Sequence, residues 1–292
     1  MTQTTKDFSK SALFTLSAAS GMIATSIVQP IDLVKTRMQL SGMLGSTKEH
    51  KTFIHAFRNI QKTEGFFGLY KGLSAALFRQ LTYTGTRLGF YSSFEETYKK
   101  RYKSNMPTGI RILSACMAGG FGALAGTPAE VALIRMTADG RLKPEERRNY
   151  RNVVHALYSI VKNEGVVSLW TGVGPTVTRA VVLNAVQLAS YSEIKQFLIR
   201  KEFLSDGLFC HFTASFISGF FCAVATTPID TIKTRIQNSK GEFTGILDVV
   251  SQTVKKEGLG SLMKGFTPLY LRIGPHTILT FIVFEQLKKA LS

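Results

Sequence analysis

One short motif occurs three times in the chain and limits what the chain can fold into. Each copy has a proline, an acid two residues later and, in two copies, a lysine three residues after the acid: Pro30-Asp32-Lys35, Pro128-Glu130 and Pro228-Asp230-Lys233. The prolines are 98 and 100 residues apart. Chance does not set a nearly constant period, so the spacing indicates three copies of one structural unit.

On a helix, the acid and the base of one copy lie about one turn apart, and the proline before them is expected to kink the helix. A single copy would favour a local ion pair between residues three apart. Three copies at one period favour a ring instead, in which the acid of each repeat faces the base of the next repeat.

The charge of the chain restricts its partners. Its formal net charge is +17 over 292 residues, which suggests nucleic acid, anionic lipid or small anions as partners. The basic residues are spread along the chain without a stripe or an arm, so nucleic acid is not predicted. Cys116, Cys210 and Cys222 form no CxxC pair and are expected to be reduced thiols. No metal site, no cofactor and no secretory signal in Met1–Lys10 are predicted.

Each repeat predicts the same order of helices. A long helix carries the motif, an amphipathic segment follows at residues 53–63, 150–163 or 243–256, and a second long helix begins after Gly72, Gly172 or Gly265. An acid and a glycine end each amphipathic segment. We therefore predict an all-α membrane protein of six long helices and three short ones, with repeats at 1–98, 99–199 and 200–292 and both termini on one side.

Small residues recur at identical offsets before the three prolines. Nineteen uncharged residues, 11–29, precede the first proline and are close to the length of a membrane span. The repeated pairs are Ser17 with Gly21, Ala115 with Gly119, and Ser215 with Gly219. Small residues four apart let membrane helices approach closely, so these faces are expected to pack against neighbouring helices. Lysine and arginine counts in the loops do not decide the orientation.

Three arginines stand at one position of the second long helices. Arg79, Arg179 and Arg272 each follow the opening glycine by seven residues. A charge inside a membrane span is costly and usually marks a substrate path, so the three are expected around a central cavity. Arg79, Tyr83 and Arg87 are four residues apart and share one helix face. The alternative is that these side chains extend towards the membrane surface, which suits Arg87 better than Arg79.

These features resemble the mitochondrial carrier family. Its signature, Pro-x-acid-x-x-base-x-Arg followed by acid-Gly and aromatic-base-Gly, is found in three copies over nearly the whole chain, with departures at single positions. Residues 126–142, 179–184 and 187–191 are similar to the branch that carries 2-oxoglutarate and malate. The resemblance implies six tilted helices, three matrix helices and a pseudo-threefold central cavity that opens to each side in turn.

The resemblance also implies roles for individual residues. Those that match substrate-binding positions are Arg79, Gln80, Tyr83, Arg87, Arg179, Ala180, Asn184 and Arg272. Those that match the gate on the matrix side are Asp32, Lys35, Glu130, Asp230 and Lys233, with Gln39 and Gln237 as glutamines that brace it. Those that match the gate on the cytoplasmic side are Lys195, Glu285 and Lys288.

The chain departs from the family pattern at several positions. Leu133 replaces the usual base and Thr137 the glutamine, so Asp32 is expected to face Leu133 without a partner. The cytoplasmic motif is complete only at 284–288, which predicts a weak gate on that side. Trp170-Thr171-Gly172 and Met263-Lys264-Gly265 depart from aromatic-base-Gly, which weakens the expectation of identical cardiolipin sites.

The function that the resemblance implies is exchange of 2-oxoglutarate for malate or a related dicarboxylate across the mitochondrial inner membrane. Arginine forks suit the two carboxylates of such a substrate. The expected protein is a monomer with bound cardiolipin, with no nucleic acid and with both termini on the intermembrane-space side. The alternatives are another anion carrier of the family, for dicarboxylates, tricarboxylates or proton leak, and a soluble basic helical scaffold. No nucleophile and base occur together in a motif, so no enzyme is predicted.

Overall fold

The same succession of helices is found in each repeat. A computed structural model describes residues 10–43, 52–104, 106–142, 144–201, 207–239, 243 and 245–272, and residues 279, 283, 286 and 287. The helices are α1 Lys10–Leu40, α2 Phe53–Gly68, α3 Leu73–Tyr102, α4 Thr108–Ala138, α5 Val153–Glu164, α6 Val173–Arg200, α7 Leu208–Asn238, α8 Ile246–Glu257 and α9, whose described start is 266–272. Short 3₁₀ turns follow α4, α5 and α8.

The long helices α1, α4 and α7 continue through their motif prolines. A proline inside a helix removes one N–H and leaves the carbonyl four residues earlier without its helical donor. Behind Pro128 that carbonyl belongs to Leu124, and the indole Nε1 of Trp170 donates to it at 3.1 Å. Trp170 thereby compensates for the lost hydrogen bond and fixes the turn before α6 against α4.

Glycines end the short helices as the sequence predicts. Gly65, Gly165 and Gly258 have φ values of 72°, 85° and 82°, which side chains rarely adopt. Regular helix therefore stops at the preceding glutamate in each repeat, although helical turns resume after Gly65 up to Gly68. The three glutamates are held at equivalent positions as a result.

Helices α1, α4 and α7 contact one another in every pairing, while α3 packs along α4 and α6 along α7. The short helices α2, α5 and α8 each pack against the long helix that precedes them. Apolar side chains such as Ile27, Phe121, Val181 and Phe216 are exposed on the long helices. In the described part of the chain, three stretches are long and apolar enough to span a membrane: Gly109–Arg141, Val166–Arg200 and Thr213–Asn238. The count of six spans stays a prediction.

The glycines at which helices pack closely are only partly those that the sequence predicts. Gly21 lies against the side chain of Gln80, as the small-residue pattern suggests for α1. A Cβ on Gly119, however, would meet no atom of the described residues within 4 Å, so the expectation of close packing there is wrong. Gly122 and Gly126 make the contact instead, because they face Tyr83 and the start of the Arg87 side chain on α3.

Candidate functional site

Two lysine bridges join the repeats at the level of the motif. Lys35 Nζ lies 2.8 Å from Asp230 Oδ2, and Lys233 Nζ lies 2.7 Å from Glu130 Oε2. These are the pairings predicted from the ring arrangement, since each acid meets the base of the next repeat. The lysine side chains are nearly buried, at 11% and 6% exposure, so the bridges are shielded from water.

Each acid of the motif also contacts an arginine of the preceding repeat. Arg79 Nε lies 3.4 Å from Glu130 Oε1, and Arg179 forms an ion pair with Asp230. Arg272 Nη1 lies 3.0 Å from Asp32 Oδ1. The three pairs obey one rule, in which the arginine of each repeat reaches the acid of the next. Their arginine side chains are 28–30% exposed, so they can still meet a solute.

The expectation that Asp32 has no partner is wrong. Leu133 cannot neutralise it, but Arg272 on α9 approaches it from the adjacent repeat. Sequence order does not show which helices meet, and this pair joins the first and the last of the helices that the structure describes. Leu133 lies next to Gly72, because a Cβ added to Gly72 would come within 3.1 Å of Leu133 Cδ1. Whether Leu133 also faces Asp32 stays a prediction.

The charged groups of different repeats converge. Arg179 interacts electrostatically with Asp230, Glu130 and Tyr83, and so links groups on α7, α4 and α3. The guanidinium of Arg79 lies 5.9 Å from the centre of the Tyr83 ring, within the range of a cation–π interaction. Arg87, two turns beyond Arg79, is exposed and makes no ion pair within the described residues. Cations are thus available at two levels along α3.

The remaining predicted residues are less fully described. Ala180 follows Arg179 on α6, and Lys195 lies half-buried near the end of that helix. The side chain of Asn184 lies outside the described part of the structure, and so do Glu285 and Lys288. The predicted gate on the cytoplasmic side therefore stays a prediction.

The two glutamines predicted as braces contact the neighbouring repeats. Gln39 Oε1 accepts a hydrogen bond of 2.9 Å from Thr234 Oγ1, one turn after Asp230. Gln39 also packs on Gly265, and Gln237 packs on Gly172 in the same way. A Cβ on either glycine would come within 3.0 Å of the glutamine, and both have positive φ. The opening glycines are therefore required for the close approach of neighbouring repeats.

A second set of charged residues was not singled out from the sequence. The last arginine of each motif forms a two-pronged ion pair with the glutamate that ends the short helix of its own repeat: Arg37 with Glu64, Arg135 with Glu164 and Arg235 with Glu257. The signal was present, because in all three repeats the arginine follows the motif proline by seven residues and the glycine of acid-Gly precedes the opening glycine by seven residues.

The same arginines also tie the repeats together. Arg37 Nε donates to the carbonyl of Thr137 at 3.0 Å, and Arg135 Nε donates to that of Gln237 at 3.1 Å. Arg235 Nε donates to the carbonyl of Gln39 at 3.2 Å and closes the circle. Helix ends carry carbonyls without helical donors, so these buried guanidinium groups satisfy them. All three repeats are thus joined in one ring of charge-assisted hydrogen bonds.

The glutamates of repeats one and three stay ionised in this setting. Burial alone would raise the pKa of Glu64, but hydrogen bonds and charge from Arg37, and then from Lys71, lower it below its ordinary value. Burial likewise opposes ionisation of Glu257, while Arg235 and Lys264 lower its pKa. Lys71 lies 2.7 Å from Glu64, so each of these glutamates is held by two cations.

The repeated helices, the motif ring and its arginines define a membrane carrier built from three units. The chain belongs to the mitochondrial carrier protein family, which matches residues 6–102, 104–202 and 205–292. It is therefore a multi-pass protein of the mitochondrial inner membrane, in a family of transporters rather than enzymes.

Its relatives include proteins named for particular substrates. The chain is 53% identical over 288 residues to the mitochondrial 2-oxoglutarate/malate carrier protein of Mus musculus, covering 96% of this chain and 91% of that one. It is 51% identical to the protein of the same name from Caenorhabditis elegans, covering 95% and 92%. It is 41% identical to the mitochondrial citrate transporter F of Aspergillus niger, covering 94% and 88%.

Proposed function

We propose that the protein exchanges 2-oxoglutarate for malate, or for a related dicarboxylate, across the mitochondrial inner membrane. The observation that carries the proposal is the convergence of Arg79, Arg179 and Arg272 on the acids of the motif, in a chain 53% identical to a carrier named for these substrates. A dicarboxylate matches such a set, because each carboxylate can accept two hydrogen bonds from one guanidinium.

Substrate binding is proposed to begin with competition for the arginines. In the state described, Arg79 and Arg179 are paired with Glu130 and Asp230 but remain partly exposed. When a substrate carboxylate binds one of these arginines, an ion pair with the substrate replaces the ion pair with the acid in a partly desolvated site. Tyr83 and the exposed Arg87 offer further donors along α3, so the substrate can span two turns of that helix.

The lysine bridges are proposed to act as the gate on the matrix side. Bridges between Lys35 and Asp230 and between Lys233 and Glu130 join α1, α4 and α7, so these helices cannot separate while both persist. A substrate that draws the arginines away from the acids removes the arginine–acid ion pairs, which join neighbouring repeats beside the lysine bridges. The energy of substrate binding can then offset the cost of opening, and exchange follows because an empty site keeps the ring closed.

We also propose that the protein binds cardiolipin, works as a monomer and has both termini in the intermembrane space. A cavity of about 420 Å³ lies where α3 begins, lined among others by Lys71, Gly72, Ser74 and Arg151. A helix N-terminus with flanking cations favours phosphate groups, which a cardiolipin headgroup supplies. Six spans would place both termini on one side of the membrane.

The proposal can be tested with purified protein in liposomes. We expect labelled 2-oxoglutarate to enter liposomes that contain malate, in a survey of external and internal anions. Replacing Arg179 by leucine removes a charge-assisted hydrogen bond of about 1.5–3 kcal/mol and should reduce exchange at least about tenfold. Arg179→Lys should restore only part of it, because lysine lacks the planar fork. Normal exchange by Arg179→Leu would overturn the site assignment.

A tricarboxylate is the second candidate, because one relative is named as a citrate transporter. Three arginines could also hold three carboxylates. The lower identity, 41% against 53%, favours the dicarboxylate. Exchange of citrate faster than 2-oxoglutarate in the same survey would reverse this order.

A further inference from the structure

The loop between α4 and α5 is fixed by one buried carboxylate. Asp139 Oδ1 accepts a hydrogen bond of 2.6 Å from the main-chain N–H of Arg148, and its Oδ2 accepts one of 2.9 Å from that of Asn149. Asn149 has a φ of 49°, in the left-handed region, and α5 begins four residues later. These bonds involve the main chain of residue 148, so its side chain is free to serve another purpose.

The side chain of Arg148 crosses from repeat two to repeat three. Its Nη2 donates to the main-chain oxygen of Asn238 at 3.0 Å, and its Nη1 donates to Asn238 Oδ1 at 3.3 Å. Asn238 is the last residue of α7. Carbonyls at a helix end lack helical donors and carry partial negative charge, so a guanidinium is well placed there.

Repeat three has a comparable contact made by a different residue. Lys264 Nζ contacts Glu257 of its own repeat and donates to the main-chain oxygen of Ser41, just after α1 in repeat one. Repeat two has Thr171 at the position of Lys264, so it lacks this cation. Glu164, at the position of Glu257, is one of the acids that interact electrostatically with Arg148.

We propose that Arg148 is a positioning residue of the matrix-side gate, which clamps repeat two to the end of α7 in place of the lysine missing at residue 171. The proposal rests on the proposed function, since a carrier that opens to the matrix must separate these repeats. The clamp joins groups on two repeats, so it holds only in the state closed on that side. Its loss therefore shifts the resting population towards the open state.

The test compares Arg148→Ala with Arg147→Ala, a matched control. Arg147 is exposed and donates from its Nε to the carbonyl of Leu142 within the same loop. Half-saturating concentrations of 2-oxoglutarate are measured from each side of liposomes in which the carriers share one orientation. For Arg148→Ala we expect the matrix-side value to fall and the opposite value to rise, each on the order of threefold. Arg147→Ala should leave their ratio unchanged.

A rescue separates the clamp from general damage to the fold. Thr171→Lys supplies the cation that repeats one and three possess, and it should return both half-saturation values of Arg148→Ala towards those of the wild type. Arg148→Lys should rescue in part. A lower melting temperature without opposite changes on the two sides would overturn the proposal, because a loop that is merely structural predicts that result.

A readout without substrate distinguishes this proposal from the proposed function. If no variant and no wild-type sample exchanges a dicarboxylate, the proposed function fails. The clamp is then judged by melting temperature in detergent. Thr171→Lys should raise it more in Arg148→Ala than in the wild type, because both cations serve the same junction. Equal increments in the two backgrounds would overturn the clamp.

Discussion

Repeat two differs from repeats one and three in how its charged cluster is completed. Glu64 and Glu257 each contact an arginine and a lysine, and their side chains are 8% and 4% exposed. Glu164 contacts Arg135 alone among the described ion pairs and is 24% exposed. The glycine that follows each glutamate nevertheless has the same positive φ in all three repeats.

This difference distinguishes the contacts that every repeat needs for its fold from contacts that only add stability. The arginine–glutamate pair and the glycine stop occur in every repeat, so they are the common means of joining the short helix to the long one. The additional lysine is absent from repeat two without loss of that geometry. Its role is therefore to strengthen the contact between the short helix and the long helix of its repeat. We expect this contact to be weakest in repeat two.

The largest expected effect comes from removing the shared arginine. Arg235→Gln leaves Glu257 buried with only Lys264, and breaking a buried pair costs about 3–5 kcal/mol. Glu164 is more exposed to water than Glu257, so Arg135→Gln should lower the free energy of unfolding by only about 1–3 kcal/mol. Thermal unfolding in detergent should show the larger drop for Arg235→Gln, with Arg235→Lys as the milder variant. Equal drops would mean that burial of the glutamate does not matter.

A smaller effect is expected from completing the lysine ring. Asp32 has Arg272 but no lysine at Leu133, whereas Glu130 and Asp230 each have both kinds of partner. Leu133→Lys should stabilise the state closed to the matrix by about 1 kcal/mol in this partly exposed setting and should slow exchange. Melting temperature and exchange rate measure the two consequences.

The control for this variant is Leu133→Met, which keeps an apolar side chain of similar size. It should change neither measurement by much. Adding Asp32→Ala should remove the gain of Leu133→Lys. If the gain persisted in the double variant, the lysine would be acting on a group other than Asp32.

Supplying the missing lysine at residue 171 should have a smaller effect still. Lys71, its counterpart in repeat one, is 40% exposed, and such pairs contribute about 0.2–1 kcal/mol. We expect Thr171→Lys to raise the melting temperature slightly in the wild type, with Thr171→Met unchanged. High salt should abolish the gain, and a gain that survives high salt would indicate packing rather than charge.

The pH dependence of stability should show the same clusters. The pKa values of Glu64 and Glu257 are lowered in the folded protein, so their contribution is present above the ordinary glutamate pKa of about 4.3 and is lost as the pH falls through the folded values. Glu257→Gln should lower stability at neutral pH and make unfolding less sensitive to acid. A parallel shift of the whole curve would contradict this assignment.

Features that repeat along the chain could be predicted from the sequence. The helices, their glycine stops and the two lysine bridges follow from a motif at a constant period, because each copy constrains the same unit. The family was also recognisable from these residues, and its match over three segments confirms it. The boundaries of the repeats and the roles of the gate residues stay predictions.

Contacts between different repeats could not be predicted in full. Arg272 meets Asp32 and Arg148 meets Asn238 across distances in sequence that no local pattern encodes. The small residue Gly119 follows the pattern of a packing face, yet Gly122 and Gly126 lie at the contact. Helix rotation decides which small residues face a neighbour, and the sequence alone does not set that rotation.

The most direct test of the proposed transport is the dependence of uptake on internal substrate and on voltage. Labelled 2-oxoglutarate is offered to liposomes loaded with malate and to empty ones, with and without an imposed potential. Exchange of one dianion for another moves no net charge, so uptake should require internal malate and should not change with potential. Uptake into empty liposomes, or uptake that scales with the potential, would contradict electroneutral dicarboxylate exchange.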